Sequence, residues 1–531
     1  MTTTLASPAV GARAQDAGRL RALQRSLLGR PLDDRVWGWL GPLAVAAIGG
    51  FLRFWHLNRP PWIVFDETYY VKQGASMLKY GYERAIKSEL KKPDALWNSG
   101  TTDVWGPNPD FVVHPPVGKW MIGAGEWLFG VSNPFGWRFA SALVGTLSIL
   151  MIGRIGRRLF RSTVLGTTAA LLLAVDGQHF VHSRTGLLDV FVMFWALAGF
   201  GCILIDRDHA RARLAARVAT RGASGFGPGL GIRPWRIAAA VCLGLCASTK
   251  WSGLFFAAAF SIASVLWDVA ARRATGTRHW LITGLLRDGP SGFVHIVPVI
   301  LVVYVSSWAG WFHSTDAYNR QWGAEHPAKG WATHVPDAVR GLWNYHQQMW
   351  QFNTTLRATH PYQSHPWSWI VLGRPTSFDY RGYKLGERGC RYTECARAIT
   401  DLGNPVIWWG GTIAIVVLLV VWLLGRDWRA GAILAGLAGG WLPWFIWAER
   451  TIYTFYAVAF VPFVVLALTF CLGLLLGPPD ASPDRRVVGG GLAGGIVLLA
   501  VLSFAFFYPV LSDVMIKHSS WVDRMWLPSW I

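Results

Sequence analysis

Two adjacent acidic residues, Asp66 and Glu67, follow closely on the first long apolar run of the sequence. Ionisable side chains at the edge of an apolar bundle are costly, so they are candidates for a functional site. Neighbouring residues on a helix point about 100° apart, so one carboxylate would face a substrate while the other orients it or caps the helix. The alternative is a solvated pair in the first turn of a surface helix, where carboxylates are favourable.

A proline-rich turn, His114-Pro115-Pro116, precedes Gly118 and Lys119. His114 precedes a proline and is pushed out of the helical region, while Pro116 suits the first turn of a helix. The free N–H groups of that helix N-terminus, with Lys119 beside them, predict a phosphate site. A plain turn back into the membrane is the alternative.

Basic residues stand at the ends of other apolar runs, among them Arg138, Arg184 and Lys250. Taken singly, each is compatible with an interfacial side chain that extends its charge towards water. Together with Glu449-Arg450 they suit the binding of an anion at one membrane surface.

A loop rich in proline and aromatic residues runs from 360 to 369 and contains His360, Tyr362 and Trp367. This composition excludes a regular helix and predicts an ordered loop lined by aromatic rings. Such rings either stack on sugars or peptides, or anchor a lid on lipid; both interpretations stay open.

Of the six cysteines, Cys390 and Cys395 lie in the same long polar segment as this loop. If the segment is outside the cell, a disulfide between them is favoured over free thiols. No set of paired ligands accompanies them, so a metal site is not expected.

The composition is that of a membrane protein. The 531 residues are 52% hydrophobic and only 15% charged, which excludes a single soluble globule. The 32 Trp and 58 Gly agree, because indoles collect at membrane interfaces and glycine is common in membrane-spanning helices. The net charge of +20 is spread over short loops rather than one patch, so nucleic acid is not an expected partner.

Elements that could position these residues follow from the length of the apolar runs. A membrane core about 30 Å thick needs roughly 20 apolar residues per helix. Eleven spans are predicted, at 36–57, 137–157, 163–180, 187–205, 236–249, 252–270, 291–311, 404–424, 430–447, 453–476 and 488–509. The pair between Arg236 and Ala270 is tight for two helices.

The positive-inside rule orients these spans, because the arginine-rich short loops all fall on one side of an eleven-span arrangement. The N-terminus is then cytoplasmic and the C-terminus extracytoplasmic, in a plasma membrane. The predicted organisation is a disordered arm (1–35), a first span (36–57), an outer loop expected to hold the chemistry (58–136), spans two to seven (137–311), a second outer loop (312–403), spans eight to eleven (404–509) and an outer tail (510–531).

In this arrangement the chain resembles the protein O-mannosyltransferases, all-α polytopic membrane glycosyltransferases of the GT-C class. The likeness rests on Asp66-Glu67, His114-Pro115-Pro116 with Gly118-Lys119, the stretch from Arg184 to Asp189, Lys250-Trp251, and the loop from His360 to Trp369. The second outer loop is too short for the β-trefoil insert of eukaryotic members. In this respect the chain resembles the actinobacterial branch of the family.

The resemblance implies transfer of mannose from polyprenyl phosphate mannose to Ser or Thr hydroxyls of exported proteins, with inversion. Asp66 would be the base and Glu67 would orient the acceptor or brace Asp66. Cations expected at the donor phosphate are Arg138, Arg184, Lys250 and Lys119, and residues expected at the sugar or acceptor are His114, His360, Tyr362 and Trp367. No metal or other cofactor is expected, and the expected partners are the lipid donor, exported polypeptides and the secretion channel.

Two other functions stay open. A sugar transferase of the same fold could use a glycolipid acceptor or a different sugar. A secondary transporter is the other alternative, but transporters place charges at the midplane between inverted repeats, whereas these charges crowd the ends of the spans.

Overall fold

The computed structural model describes residues 8–29, 34–478 and 480–531. The helices up to residue 274 are α1 (Pro8–Leu28), α2 (Trp37–Phe54), α3 (Glu67–Tyr80), α4 (Pro93–Asn98), α5 (Val117–Phe129), α6 (Pro134–Phe160), α7 (Thr163–Ala174), α8 (Gly177–His182), α9 (Asp189–Arg221), α10 (Pro234–Ala247) and α11 (Gly253–Ala274). The later helices are α12 (Trp280–Thr283), α13 (Gly289–Ser307), α14 (Ala309–His313), α15 (Trp322–Glu325), α16 (Asp337–Thr355), α17 (Pro366–Trp369), α18 (Pro405–Gly425), α19 (Trp428–Gly440), α20 (Val461–Leu476), α21 (Pro483–Leu511) and α22 (His518–Val522).

Eight helical segments of the described chain are long and apolar enough to cross a membrane. They are Trp37–Phe54, Pro134–Phe160, Asp189–Arg221, Gly253–Ala274, Trp280–Ser307, Pro405–Gly425, Thr454–Leu476 and Pro483–Leu511. The segment Trp280–Ser307 joins α12 to α13 through a π-helical stretch, Gly284–Asp288, and the segment Thr454–Leu476 opens with a 3-10 stretch, Thr454–Phe460. The chain is therefore a multi-pass membrane protein.

The three other predicted spans coincide with shorter helices. α7, α10 and α19 have 12, 14 and 13 residues, which is less than the roughly 20 that cross a hydrocarbon core unaided. Eleven crossings therefore stay a prediction, although each predicted span contains a helix.

The N-terminal segment differs from its prediction as a disordered arm. Residues 8–28 form α1, and Leu23 and Leu27 of this helix pack beside α9. The helix forms because apolar side chains recur at helical spacing within the arginine-rich sequence. These side chains pack against Leu214 and Val218 of α9. The same packing lets α9 continue past its predicted end at residue 205 to Arg221. Residues 1–7 and 30–33 lie outside the described residues.

Two small antiparallel sheets accompany the all-α bundle, in segments where no strand is predicted. The first pairs β1 (Arg84–Ile86) with β2 (Trp105–Pro109). The second has the order β3 (Thr376–Lys384), β4 (Glu394–Asp401) and β5 (Ile516–Lys517), so the C-terminal segment completes a sheet begun more than a hundred residues earlier.

The C-terminal segment is tied closely to this second sheet. Besides the β5 pairing, the Arg374 guanidinium donates hydrogen bonds to the carbonyls of Ser529 and Ile531, and Trp530 is buried and donates to the Leu372 carbonyl. These bonds attach the last residues of the chain to the segment just before β3.

A buried network of charges joins three helices at the opposite end of the bundle. Arg233 donates to both oxygens of Asp206 on α9, and Arg236 of α10 donates to Asp268 of α11 at 2.6 Å. The Arg233 guanidinium also reaches Asp268, so the two carboxylates and two guanidiniums neutralise one another. Such pairing is required for charges withdrawn from water.

Candidate active site

The turn that leads into α3 separates the two adjacent carboxylates. Phe65 has a left-handed backbone with φ of 47°, which is unusual for a bulky residue and costs about 1–3 kcal/mol. Its ring is held by stacking on Phe378 of β3, at 4.5 Å between centroids, and by an edge contact with Phe455. The strained turn leaves Asp66 just before α3 and Glu67 in its first turn.

Glu67 is locked into the protein interior. Its two oxygens accept hydrogen bonds from Arg138, each at 2.8 Å, and also from the backbone N–H groups of Gly186 and Val64. Both side chains of the ion pair are inaccessible to solvent. Glu67 therefore positions the turn and cannot itself reach a substrate.

Asp66 has a different environment, because part of its side chain remains exposed and it does not cap α3. Burial raises the pKa of Asp66 to about 6; the nearby Lys250 and His182 lower this pKa, and Asp189 raises it. Lys250 and Asp189 therefore lie close enough to the Asp66 carboxylate to change its pKa. A carboxylate with a pKa near 6 is ionised at neutral pH and is a stronger base than an ordinary aspartate.

Lys250 lies in the tight turn between α10 and α11. Its ammonium group donates to both oxygens of Asp189, at 2.9 and 3.2 Å, and lies 4.1 Å from the centre of the Tyr456 ring. Gly253 makes this turn possible, since a Cβ there would lie 2.5 Å from the Cys246 carbonyl carbon. The turn places the Lys250 ammonium group beside Asp189, the first residue of α9.

A cavity of about 140 Å³ opens beside Lys250. Its lining includes His114, Lys250, Trp251, Asn353, Trp447 and Arg450. His114 reaches it because the N–H of Val117, at the start of α5, bonds to the Ser248 carbonyl at the end of α10. Burial, together with the neighbouring cations Lys250, Lys119 and Arg450, lowers the pKa of His114, so its imidazole is neutral at neutral pH.

Of the four cations predicted at the donor phosphate, only Lys250 lines this cavity. Arg138 donates to Glu67 and to the carbonyls of Pro60 and Trp62, so its guanidinium is already occupied. Lys119 is 1% exposed and bonds to Glu83 and to the His114 carbonyl.

Arg184, the fourth predicted cation, lies at the end of α2 and outside the cavity beside Lys250. Its guanidinium donates to the carbonyls of Leu52, Arg53 and Trp55 at the end of α2, where it satisfies groups that a helix C-terminus leaves free. It lines a separate cavity of about 1130 Å³. In this structure Arg138, Lys119 and Arg184 therefore hold the site together from outside the cavity.

The aromatic loop lies beside the site without lining the cavity. His360 packs edge-on against Tyr453, at 5.1 Å between ring centroids, and Tyr362 contacts the Arg374 guanidinium. Trp367 is 62% exposed. Tyr453 stacks on Phe455 and so connects His360 with the rings that hold Phe65.

Two residues of the site are missing from the roles that the resemblance assigns, although Glu449-Arg450 is among the charges that suit an anion. Arg450 stands out there only as a charge at the end of an apolar run, and its guanidinium lies 3.3 Å from Asn353 in the cavity wall. The sequence hardly indicates that Tyr456 belongs to the site, because an aromatic residue in an apolar run is usually a core residue. Its position six residues after Arg450 is the only available hint.

The second outer segment contains the disulfide that the sequence favours. Cys390 and Cys395 are bonded and close the hairpin of β3 and β4. Within the residues that the structure describes, no group of three or more His, Cys, Asp or Glu side chains is placed to hold a metal ion.

The architecture is similar to that of the Saccharomyces cerevisiae protein O-mannosyltransferase Pmt1-Pmt2 complex bound to the sugar donor. The TM-score is 0.70 with 14% identity, over 97% of this chain and 94% of that chain. The fold is therefore that of the GT-C membrane glycosyltransferases, as predicted.

The sequence matches two family descriptions along most of its length. Residues 43–310 match "Dolichyl-phosphate-mannose-protein mannosyltransferase", and residues 338–530 match "C-terminal four TMM region of protein-O-mannosyltransferase". The chain belongs to the protein O-mannosyltransferase family.

Curated relatives cover nearly the whole chain. The polyprenol-phosphate-mannose–protein mannosyltransferase of Mycolicibacterium smegmatis (strain MKD8) is 38% identical over 515 residues, 94% of each chain. The enzyme with the same name from Mycobacterium tuberculosis (strain ATCC 25618 / H37Rv) is 37% identical over 511 residues, 94% of this chain and 92% of that protein. The resemblance stated from sequence is thus confirmed.

Proposed function

We propose that this protein transfers mannose from polyprenyl phosphate mannose to Ser or Thr hydroxyl groups of exported proteins. The names of the curated relatives support this donor and this class of acceptor. The observation that carries the proposal is the partly exposed Asp66, with its pKa raised to about 6, in one site with Lys250.

In the proposed reaction the acceptor hydroxyl attacks the anomeric carbon of β-mannosyl phosphate from the face opposite the phosphate. The bond from that carbon to the phosphate oxygen breaks, Asp66 takes the hydroxyl proton, and the product is α-linked. The lipid phosphate keeps the electron pair and leaves ionised, so it needs positive charge rather than a proton. The scheme assigns no role to a metal or further cofactor.

The cavity supplies the remaining groups. Lys250 and Arg450 are the proposed cations for the leaving phosphate, since both line the cavity. Neutral His114 can donate or accept a hydrogen bond at a sugar hydroxyl. His360 and Tyr362 belong to the aromatic loop beside the cavity and are proposed to contact the acceptor polypeptide. Trp367 is proposed to contact it at the exposed edge of this loop.

The orientation of the chain in the membrane and the boundaries of its segments are also proposals. We place the N-terminus (1–35) in the cytoplasm and the loops 58–136 and 312–403, with the tail 510–531, outside the plasma membrane. The acceptor would reach the site as it is exported, with the secretion channel as the proposed delivery partner.

The test uses membranes that contain the full chain, radiolabelled polyprenyl phosphate mannose and a peptide rich in Ser, Thr and Pro. We expect label on the peptide, and Asp66→Asn to lower the rate on the order of 10²- to 10⁴-fold, as for loss of a general base. Glu89→Gln is the matched control, because Glu89 is an exposed carboxylate in the same outer loop.

The outcomes separate the candidate functions. Label in a glycolipid fraction would support a sugar transferase with a lipid acceptor, and no transfer at all would support a transporter. Near-normal transfer by Asp66→Asn would remove Asp66 as the base.

A further inference from the structure

A second large cavity lies far from Asp66. It has a volume of about 910 Å³ and is bordered by the end of α6, the start of α7, the end of α20 and the start of α21. Four of its lining residues are arginines, Arg161, Arg429, Arg485 and Arg486, and most of the others are apolar.

The cavity lies at the membrane surface opposite to the candidate active site. α6 carries Arg138, behind the active site, near its first residue, and ends at Phe160 in the wall of the cavity. Its 27 residues correspond to about 40 Å, the thickness of a bilayer with its headgroups. The cavity is therefore separate from the site proposed for the lipid-linked donor.

Two of the four arginines have their charge largely satisfied by the protein. The Arg429 guanidinium bonds to Asp427, and Arg161 donates to the Leu28 carbonyl and lies 3.7 Å from Asp208. Arg485 and Arg486 are exposed, and neither forms an ion pair with any residue in the described ranges. The two guanidiniums on the α21 side of the cavity thus have no ion-pair partner within 4 Å among the described residues, although Asp480 and Asp484 precede them in sequence.

The apolar part of the lining is also exposed. Val164 is 66% and Val487 is 75% accessible, and Leu474 is exposed as well. Apolar side chains in this number next to arginines fit the boundary between acyl chains and headgroups, where basic pockets between membrane helices bind anionic lipids.

The turn between α20 and α21 brings the cation into place. Gly477 has a left-handed backbone with φ of 76°, and a Cβ at this position would lie 3.0 Å from the Arg485 side-chain Nε. The Ser482 side chain caps the first turn of α21 through the Arg485 N–H. Glycine and cap together hold Arg485 over the mouth of the cavity.

We propose that this cavity binds the phosphate headgroup of an anionic phospholipid from the leaflet opposite to the active site. Arg485 and Arg486 contact the phosphate, and Val164, Leu474 and Val487 contact the first carbons of the acyl chains. A free phosphate ion shares the headgroup chemistry, but it would leave these exposed apolar side chains without a partner.

The test is native mass spectrometry of the purified full chain in a neutral detergent, titrated with phosphatidylglycerol. We expect one phosphatidylglycerol bound per chain with an affinity that falls about fivefold for each arginine removed in Arg485→Gln and Arg486→Gln. Both residues are exposed, so each single variant is expected to fold, and its melting temperature is measured alongside.

The matched control is the double variant Arg221→Gln/Arg278→Gln. It removes as much charge as Arg485→Gln and Arg486→Gln do together, from two exposed arginines outside the cavity, and we expect it to bind phosphatidylglycerol like the wild type. Phosphatidylcholine is expected to bind at least about tenfold more weakly, because its headgroup carries no net charge.

Three results would overturn the proposal. Unchanged affinity in both Arg485→Gln and Arg486→Gln would remove the arginines as ligands. Equal loss of affinity in the control would reduce the effect to general surface charge. Displacement of phosphatidylglycerol by inorganic phosphate at millimolar concentration would identify a site for the free ion instead of a lipid.

Discussion

The carboxylates Asp66 and Glu67 are adjacent in sequence but lie in different environments, which give them different roles. Glu67 is enclosed by Arg138 and two backbone N–H groups, which makes it a structural acceptor. Asp66 lies in a partly open site where burial raises its pKa to about 6. Two neighbouring carboxylates in such different environments are typical of sites in which one of them exchanges a proton.

The pH dependence of transfer is expected to report the ionisation of Asp66. Because the base must be ionised, kcat/KM should be constant above about pH 7 and fall tenfold per pH unit below about pH 6, where an ordinary aspartate, with a pKa of 3.8, would stay active. Initial rates of peptide labelling between about pH 5 and pH 8 measure this profile.

Protonation of Asp66 does not itself destabilise the fold at acidic pH. A carboxyl whose pKa is higher in the folded than in the unfolded protein stabilises the fold as the pH decreases through about 6, and that stabilisation is lost as the pH rises. Activity that stays constant down to pH 5 would contradict the assignment of Asp66 as the base.

Lys250 and Lys119 provide a comparison between a cation in the cavity and one behind it. Each ammonium group belongs to a buried ion pair, with Asp189 and Glu83 respectively, so Lys250→Gln and Lys119→Gln should lose similar thermal stability. Only Lys250→Gln should slow transfer by the folded enzyme, by about 10²- to 10³-fold, because it removes charge from the leaving phosphate.

Single-turnover rates with saturating donor, normalised to the folded fraction, measure this difference. If Lys119→Gln slowed transfer as strongly as Lys250→Gln, then Lys119 would belong to the phosphate site, as the sequence predicts.

At the level of elements, the sequence predicts where helices lie better than what their charged residues contact. Apolar run length locates the spans because burial in lipid needs a fixed length of helix. The pairings Lys119 with Glu83, Lys250 with Asp189, and Arg138 with Glu67 join residues 36, 61 and 71 positions apart. Tertiary packing alone decides these pairs, so four cations look equivalent in sequence while one lines the cavity.

The helix α1 and the strand β5 illustrate a second limit of the sequence. Both elements form because a neighbouring surface accepts them: α9 packs against Leu23, and the edge of β4 pairs with Ile516. A pattern along one segment contains no information about a partner more than a hundred residues away.

The charge network between α9, α10 and α11 should contribute strongly to stability. Asp268→Asn leaves the two buried guanidiniums of Arg233 and Arg236 to share the single carboxylate of Asp206, which is expected to cost about 3–5 kcal/mol of folding free energy. Thermal unfolding of the purified protein in detergent measures the loss.

The exposed Asp523, which makes no ion pair within 4 Å to any described residue, provides the control variant Asp523→Asn. The expected change there is within about 0.5 kcal/mol. Equal melting temperatures for Asp268→Asn and the wild type would show that the network is not needed for the fold.

At the level of the whole molecule, the net charge of +20 is distributed in a way that predicts orientation. Arginines concentrate in the segments that link the ends of the long helices opposite to Asp66, and such segments remain in the cytoplasm. In the predicted orientation, Asp66 and the cavity beside Lys250 face the outside.

A labelling experiment tests this orientation. Ser99 and Ser224 are both exposed, and they lie on the two sides of the predicted membrane. In intact cells, an impermeant maleimide should label Ser99→Cys and should label Ser224→Cys only after the cells are lysed. Wild-type protein gives the background from its free cysteines, and the reverse pattern would invert the proposed topology.

The C-terminal segment has a consequence for the timing of folding during biosynthesis. β5 and Trp530 complete the sheet whose strand β3 carries Phe378, and Phe378 stacks on the strained Phe65 beside Asp66. Ribosomes make residues 516–530 after all the other parts of the site. The sheet that carries Phe378 is therefore completed only after the last long helix, α21, has been made.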